Sequence, residues 1–225
     1  MNTSNHEMII PFGNISLKGI LTVPPGAAAI VIFSHGSGSS RFSSRNAFVA
    51  RVLNKSGMAT LLIDLLTPDE DLVYENRFDI DLLTARLVEV TNFIHQQEAY
   101  KNFKIGYFGA STGAASAINA AERLGTLISA IVSRGGRPDL ADADYPLVKA
   151  PTLLIVGSLD VPVIELNEEV YNDLRCEKKL VIVEGATHLF EEEGKLEEVA
   201  ELASEWFQKC IQEHHSLPKN SHHDL

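Results

Sequence analysis

KIGYFGASTGAASAINAAERLG, residues 104–125, passes from an apolar run into an Ala-rich helical pattern within a few residues. The join is Gly109-Ala110-Ser111-Thr112-Gly113, a G-x-S-x-G. A nucleophile on a sharp turn needs this context: a strand, then a bend tight enough to strain the Ser backbone, then a helix. Glycine on both sides lets neighbouring backbone pass closely, and the helix N-terminus favours negative charge as it develops. A Gly-Ser-Gly turn that merely joins a strand to a helix would look the same. Partners elsewhere in the chain decide between the two readings.

Outward from this segment the pattern repeats. Residues 27–36, AAAIVIFSHG, form a continuous apolar run, as expected of a strand buried on both faces, and end in a Gly- and Ser-rich loop. RNAFVARVLNKSG follows with apolar residues at helical spacing and Gly57 as a stop. MATLLIDLL, KIGYFGAS, ISAIVSRGG, APTLLIVGSLD and KKLVIVEGATHLF read as further strands. TPDEDLVYENRF reads as an acidic loop, and helical patterns fill most of the other intervals. At the N-terminus, HEMIIPF and ISLKGILTVP form a hairpin across Gly13-Asn14. Alternating strands and helices predict an α/β fold, a mostly parallel sheet of about eight strands with helices on both faces. Residues 1–215 read as one domain, and residues 216–225 lack a core pattern and read as a disordered tail. The Gly-rich loops match neither nucleotide-binding template, since HGSGSSR puts Arg41 where a third glycine belongs.

A Ser nucleophile needs a base, and the base needs an orienting carboxylate. In this architecture they follow in the order Ser, acid, His. Asp160 follows the strand TLLIV and His188 follows the last strand, so Ser111, Asp160 and His188 all lie at carboxyl ends of strands, where ligands of open parallel sheets gather. Asp160 could instead cap the helix that follows it, and His188 could be a buried structural residue. Asp139 is the reserve acid, whereas Asp64 precedes the Ser and fits the order poorly. Oxyanion donors are expected from the backbone N–H of Thr112, after the nucleophile, and of Ser37, in the loop after the third strand.

The pieces FSHGSGSS, GYFGASTGAASA, LLIVGSLDVPV and VEGATHLF resemble the α/β-hydrolases, and most closely the small, lidless dienelactone-hydrolase-like group. The resemblance runs from about Ile15 to Phe207. It implies hydrolysis of an ester or related acyl bond without cofactor or metal, with Ser111 as nucleophile, Asp160 as acid, His188 as base, and Ser37 and Thr112 as oxyanion donors. Dienelactone hydrolases use Cys as nucleophile. Ser111 at this position points away from the dienelactone substrate and towards a serine carboxylesterase, although a thioester or lactone would serve the same site. A non-catalytic ligand-binding module on the same fold is the rival from another class; it would be favoured by a missing triad member, and none is missing.

The interval between Val132 and Pro151 is too short for a helical cap, which predicts an open site and small substrates. Arg41, Arg134 and Arg137 lie in loops that reach the site, and they predict a substrate with a negative charge. The opposite reading has them pair with nearby aspartates and only hold loops. Across its 225 residues the chain carries a net charge of −11, which argues against nucleic acid or an anionic membrane as partner. Its two cysteines, Cys176 and Cys210, form neither a disulfide framework nor a zinc signature. With no secretory signal and no apolar run of membrane-spanning length, a cytoplasmic protein is expected. His214, His215, His222 and His223 read as solvated tail.

Overall fold

The computed structural model describes residues 4–213. Eight strands make one sheet: β1 (Ser4–Phe12), β2 (Ile15–Val23), β3 (Ala29–Ser34), β4 (Ala59–Ile63), β5 (Lys104–Ala110), β6 (Ile128–Arg134), β7 (Thr152–Gly157) and β8 (Lys178–Val183). Their spatial order is β1-β2-β4-β3-β5-β6-β7-β8. β1 and β2 form the expected antiparallel hairpin, β2 runs antiparallel to β4, and the remaining pairs are parallel. The chain builds outward in one direction from β3 to β4 and in the other from β5 to β8. The order therefore reverses between β3 and β5, and the crevice outside their carboxyl ends is the natural place for a ligand.

The apolar runs of β3 to β7 are continuous because these inner strands have two buried faces. On β3, Ile30 and Ile32 join one core cluster while Ala29, Val31 and Phe33 join the other. Helices α1 (Ser44–Lys55) and α6 (Lys195–Glu213) cover the second face, through Val49, Leu53, Ala203 and Phe207 among others. Helices α3 (Ile80–Gln96), α4 (Gly113–Leu124) and α5 (Val161–Asp173) cover the first, through Leu87, Val90, Ile118 and Val170. Phe207 approaches so closely that a Cβ on Gly106 would lie 2.7 Å from its ring.

Two features differ from the sequence expectation or lie beyond it. The acidic segment expected to be a loop holds a short helix, α2 (Pro68–Asp71), and a 3-10 turn at Tyr74–Phe78. Thr67 and Glu70 form a reciprocal capping box there, with Pro68 in the first turn, so local capping overrides the polar composition. The tail from residue 216, and His214, His215, His222 and His223, lie outside the described residues. Between β6 and β7 stand only two 3-10 turns, Pro138–Leu140 and Tyr145–Leu147, and no cap domain. Among the described residues no helix is long and apolar enough to cross a membrane.

His35 follows β3 directly and is buried. One ring nitrogen, Nδ1, lies 2.9 Å from the Gly36 carbonyl, and Nε2 accepts from the Leu65 N–H at 3.3 Å. Burial lowers its pKa, only partly offset by the Gly36 carbonyl and by the charges of Asp64 and Asp71. In the unfolded chain the imidazole takes up a proton near its ordinary pKa of about 6.5. Its contribution to stability is thus full above that pH and lost as pH falls through the lowered folded value. Thermal melting of wild type and His35→Gln, followed from pH 8 to 5, should show the wild type losing stability more steeply below pH 6.5; parallel curves would contradict this.

Candidate active site

β5 delivers Ser111 onto a backbone bend with φ of +51°, a left-handed conformation that non-glycine residues seldom adopt. Such a conformation costs on the order of 1–3 kcal/mol and persists only where surroundings over-determine it. They do so here. The Ser111 N–H donates to the Arg134 carbonyl at 3.2 Å, and the Ser111 carbonyl accepts from the Arg137 N–H at 3.0 Å. A Cβ on Gly113 would lie 2.1 Å from the Ser34 carbonyl oxygen, and one on Gly109 would lie 2.6 Å from the Ala114 Cα. Both glycines of the motif are therefore required by backbone contact. Gly36 is likewise confined, since its Cβ would stand 3.0 Å from that of Ser111.

The structure brings Ser111, His188 and Asp160 into one hydrogen-bonded line. His188 Nδ1 lies 2.6 Å from Asp160 Oδ2, and His188 Nε2 lies 3.3 Å from Ser111 Oγ. A carboxylate can only accept, so Nδ1 carries the proton and donates to Asp160. Nε2 is then free to accept from the Ser111 hydroxyl. Asp160 does occupy the N-cap position of α5, but its side chain caps no backbone N–H there and turns to His188 instead. The His188 loop is seated on two glycines: a Cβ at Gly157 would lie 2.2 Å from the Ala186 carbonyl oxygen, and one at Gly135 would lie 2.8 Å from that of His188. Glu192 holds the loop further by accepting from the Thr187 hydroxyl at 2.5 Å and from its N–H at 3.1 Å. Asp139, the reserve acid, accepts two hydrogen bonds from Arg137.

The two expected oxyanion donors are in different states. Among the described residues no acceptor is seen for the Thr112 N–H at the start of α4. The Ser37 N–H donates to the Thr112 hydroxyl at 2.9 Å. The side chain of the residue after the nucleophile thus tethers the loop after β3.

The three arginines separate. Arg41 belongs to Asp64, which accepts from its guanidinium and, at 2.6 Å, from its backbone N–H. Arg137 belongs to Asp139, at 2.9 and 2.8 Å. Both guanidiniums are paired with aspartates, and neither residue lines the cavity that holds Ser111 and His188. Arg134 alone lines the cavity of about 270 Å³ that also contains Ser111 and His188. It is 6% exposed, and its NH2 donates to Asn46 Oδ1 at 3.3 Å. Burial, and then the like charge of Arg45, bring its pKa down to about 10, so it remains charged at neutral pH. Sequence reasoning missed Arg45 and Asn46, which line the same cavity from the first turn of α1. The available signal was SSRNAF, a Ser cap followed by a first helical turn with a base and no acid.

The dienelactone hydrolase family profile matches residues 17–213. A dienelactone hydrolase from Anabaena variabilis shares 51% identity and superposes with a TM-score of 0.89, covering 92% of this chain and 98% of that one. An α/β serine hydrolase without lid from Xanthomonas campestris has a TM-score of 0.74 at 18% identity, covering 97% of this chain and 99% of the other, a likeness of fold alone. Two Mycobacterium tuberculosis proteins, each named putative phosphoribosyl transferase, are 50% identical over 203 residues, which is 90% of this chain and 46% of each of them. The chain therefore spans about half the length of these curated relatives. On the match across nearly its whole length, the chain belongs to the dienelactone hydrolase family.

Proposed function

We propose that the protein is a serine hydrolase that cleaves small carboxylic esters through an acyl-enzyme on Ser111. The observation that carries this reading is the line Asp160–His188–Ser111 ending on a strained turn. Ser111 Oγ attacks the ester carbonyl while its proton passes to His188 Nε2. The oxyanion forms against the free amide of Thr112 and against the Ser37 N–H, which must share or redirect the hydrogen it gives the Thr112 hydroxyl in the resting site. The C–O bond to the alcohol then breaks, and His188 returns the proton to the leaving oxygen. Water attacks the acyl-enzyme by the same route and regenerates the Ser111 hydroxyl. Asp160 fixes the tautomer and stabilises the imidazolium. The uncapped cavity suits a small acyl group, and a thioester or lactone would react by the same steps. The transferase name of the mycobacterial relatives is best assigned to the part of those longer chains that this one does not match, because the matched part falls in a hydrolase family.

Ser111→Ala and His188→Ala should each lower kcat on p-nitrophenyl acetate by at least about a thousandfold, with circular dichroism unchanged. The double variant should be little worse than either single one, since the residues act as a unit. Wild-type turnover by Ser111→Ala would refute the mechanism.

The Thr112 hydroxyl has a separate role in this reading, which is to hold the Ser37 amide beside the Thr112 amide. Thr112→Val, close in shape but without an acceptor, should lower kcat by roughly tenfold, about 1.4 kcal/mol of barrier. Thr112→Ser should keep most of the rate. If Thr112→Val were as fast as wild type or faster, the hydroxyl would be masking the amide rather than holding it.

A further inference from the structure

Arg134 is a buried charge with no acidic partner among the described residues. Its one side-chain hydrogen bond, to the neutral amide of Asn46, does not compensate a guanidinium, and its Nε has no partner. A buried cation without an anion is costly, so such groups are normally paired. The position is fixed by the fold: Arg134 sits on β6 in register with Ala110, the residue before the nucleophile. The sheet therefore holds its backbone beside that of the nucleophile turn.

The first turn of α1, which Arg134 touches through Asn46, adds to the positive field. α1 is 12 residues long and begins at the cavity, with Ser43 as its cap. The Ser43 side chain accepts from the Asn46 N–H, while no acceptor is seen for the N–H groups of Ser44 and Arg45. A helix N-terminus carries about half a positive charge and presents N–H groups to anions. Its first turn contains no acid to satisfy this field. Arg45 adds a second guanidinium; its NH1 donates to the exposed carboxylate of Glu191 at 2.6 Å, an ion pair at the rim, while its Nε has no partner. Ser37, Ser39 and Ser43 complete a lining of small donors.

We propose that this corner of the cavity is a phosphate subsite, with Arg134, Arg45 and the N-terminus of α1 holding a phosphomonoester carried by the substrate. This rests on the reading of Ser111 as nucleophile, and it names the substrate class as carboxylic esters of phosphorylated alcohols or acids. The donor count selects phosphate over carboxylate. Two guanidiniums and two helix N–H groups exceed what two carboxylate oxygens usefully accept, and they suit three phosphate oxygens. The nearly double charge of a phosphomonoester at neutral pH also suits the unpaired charge of Arg134 together with the helix N-terminus and Arg45, whose charge is shared with Glu191. Ser111 remains free to attack the ester, because the phosphate is recognised and not cleaved.

Binding and turnover test the subsite separately. In calorimetry at low salt, inorganic phosphate should bind the Ser111→Ala protein, and acetate should bind it at least about tenfold more weakly. Arg134→Met in the Ser111→Ala background should weaken phosphate binding about 10- to 100-fold. Arg45→Met should shift it in the same direction, and it serves alone if Arg134→Met does not fold. On the active enzyme, kcat/KM for 1-acetylglycerol 3-phosphate should exceed that for 1-acetylglycerol by about tenfold or more, and the ratio should fall towards one in the arginine variants. Equal binding of phosphate and acetate would overturn the phosphate assignment. Equal turnover of both glycerol esters without phosphate binding would overturn the subsite and leave the hydrolase reading intact. Arginine-dependent phosphate binding with no ester turnover would keep the subsite and remove the hydrolase reading.

Discussion

The close approach of the ends of β3 and β5 governs the rest of the molecule. Gly113 opens α4 where any side chain would strike the Ser34 carbonyl, and the Ser34 hydroxyl lies 2.7 Å from that of Ser116 one turn further on. With strand and helix held this tightly, the residue between them has no room for an ordinary helical or extended backbone. Ser111 is forced to φ of +51° and its hydroxyl is presented at the crevice. The strain at one residue is offset by a sheet buried on both faces and by backbone bonds from the loop after β6.

The chain is acidic overall, yet the site carries two arginines. Asp64 and Asp139 take up the guanidiniums of Arg41 and Arg137, and Asp160 is committed to His188. Arg134, without an acid, and Arg45, paired with the exposed Glu191, line the cavity beside a helix N-terminus. A field of this sign favours the oxyanion of acyl transfer as well as an anionic substrate group, and the net charge of −11 gives no hint of it. Global charge bears on solubility and encounter. Local pairing decides what the site attracts.

Much of this was legible in the sequence, for identifiable reasons. The G-x-S-x-G after an apolar run, and Asp160 and His188 after later runs, are short local patterns whose spatial meaning follows from parallel-sheet topology. Burial on both faces made the strands plain as unbroken apolar runs. The arginines were not separable this way. Arg41 meets Asp64 across 23 residues and Arg134 meets Asn46 across 88, distances over which no local pattern reports pairing. Arg45 sits in an ordinary amphipathic helix pattern, and only the fold brings the first turn of α1 to the cavity that holds Ser111. The short helix at residues 68–71 was missed although Thr67-Pro68-Asp69-Glu70 spells a capping box, because the acidic run around it suggested a solvated loop.

What remains decisive is whether Ser111 becomes covalently acylated. Reaction of the protein with an active-site fluorophosphonate, followed by intact mass and peptide mapping, reads this without knowledge of the natural substrate. One stoichiometric adduct on Ser111, absent from Ser111→Ala and strongly slowed in His188→Ala, is the predicted result. Full-length folded protein that forms no adduct, or forms one on another residue at equal rate in Ser111→Ala, would contradict it.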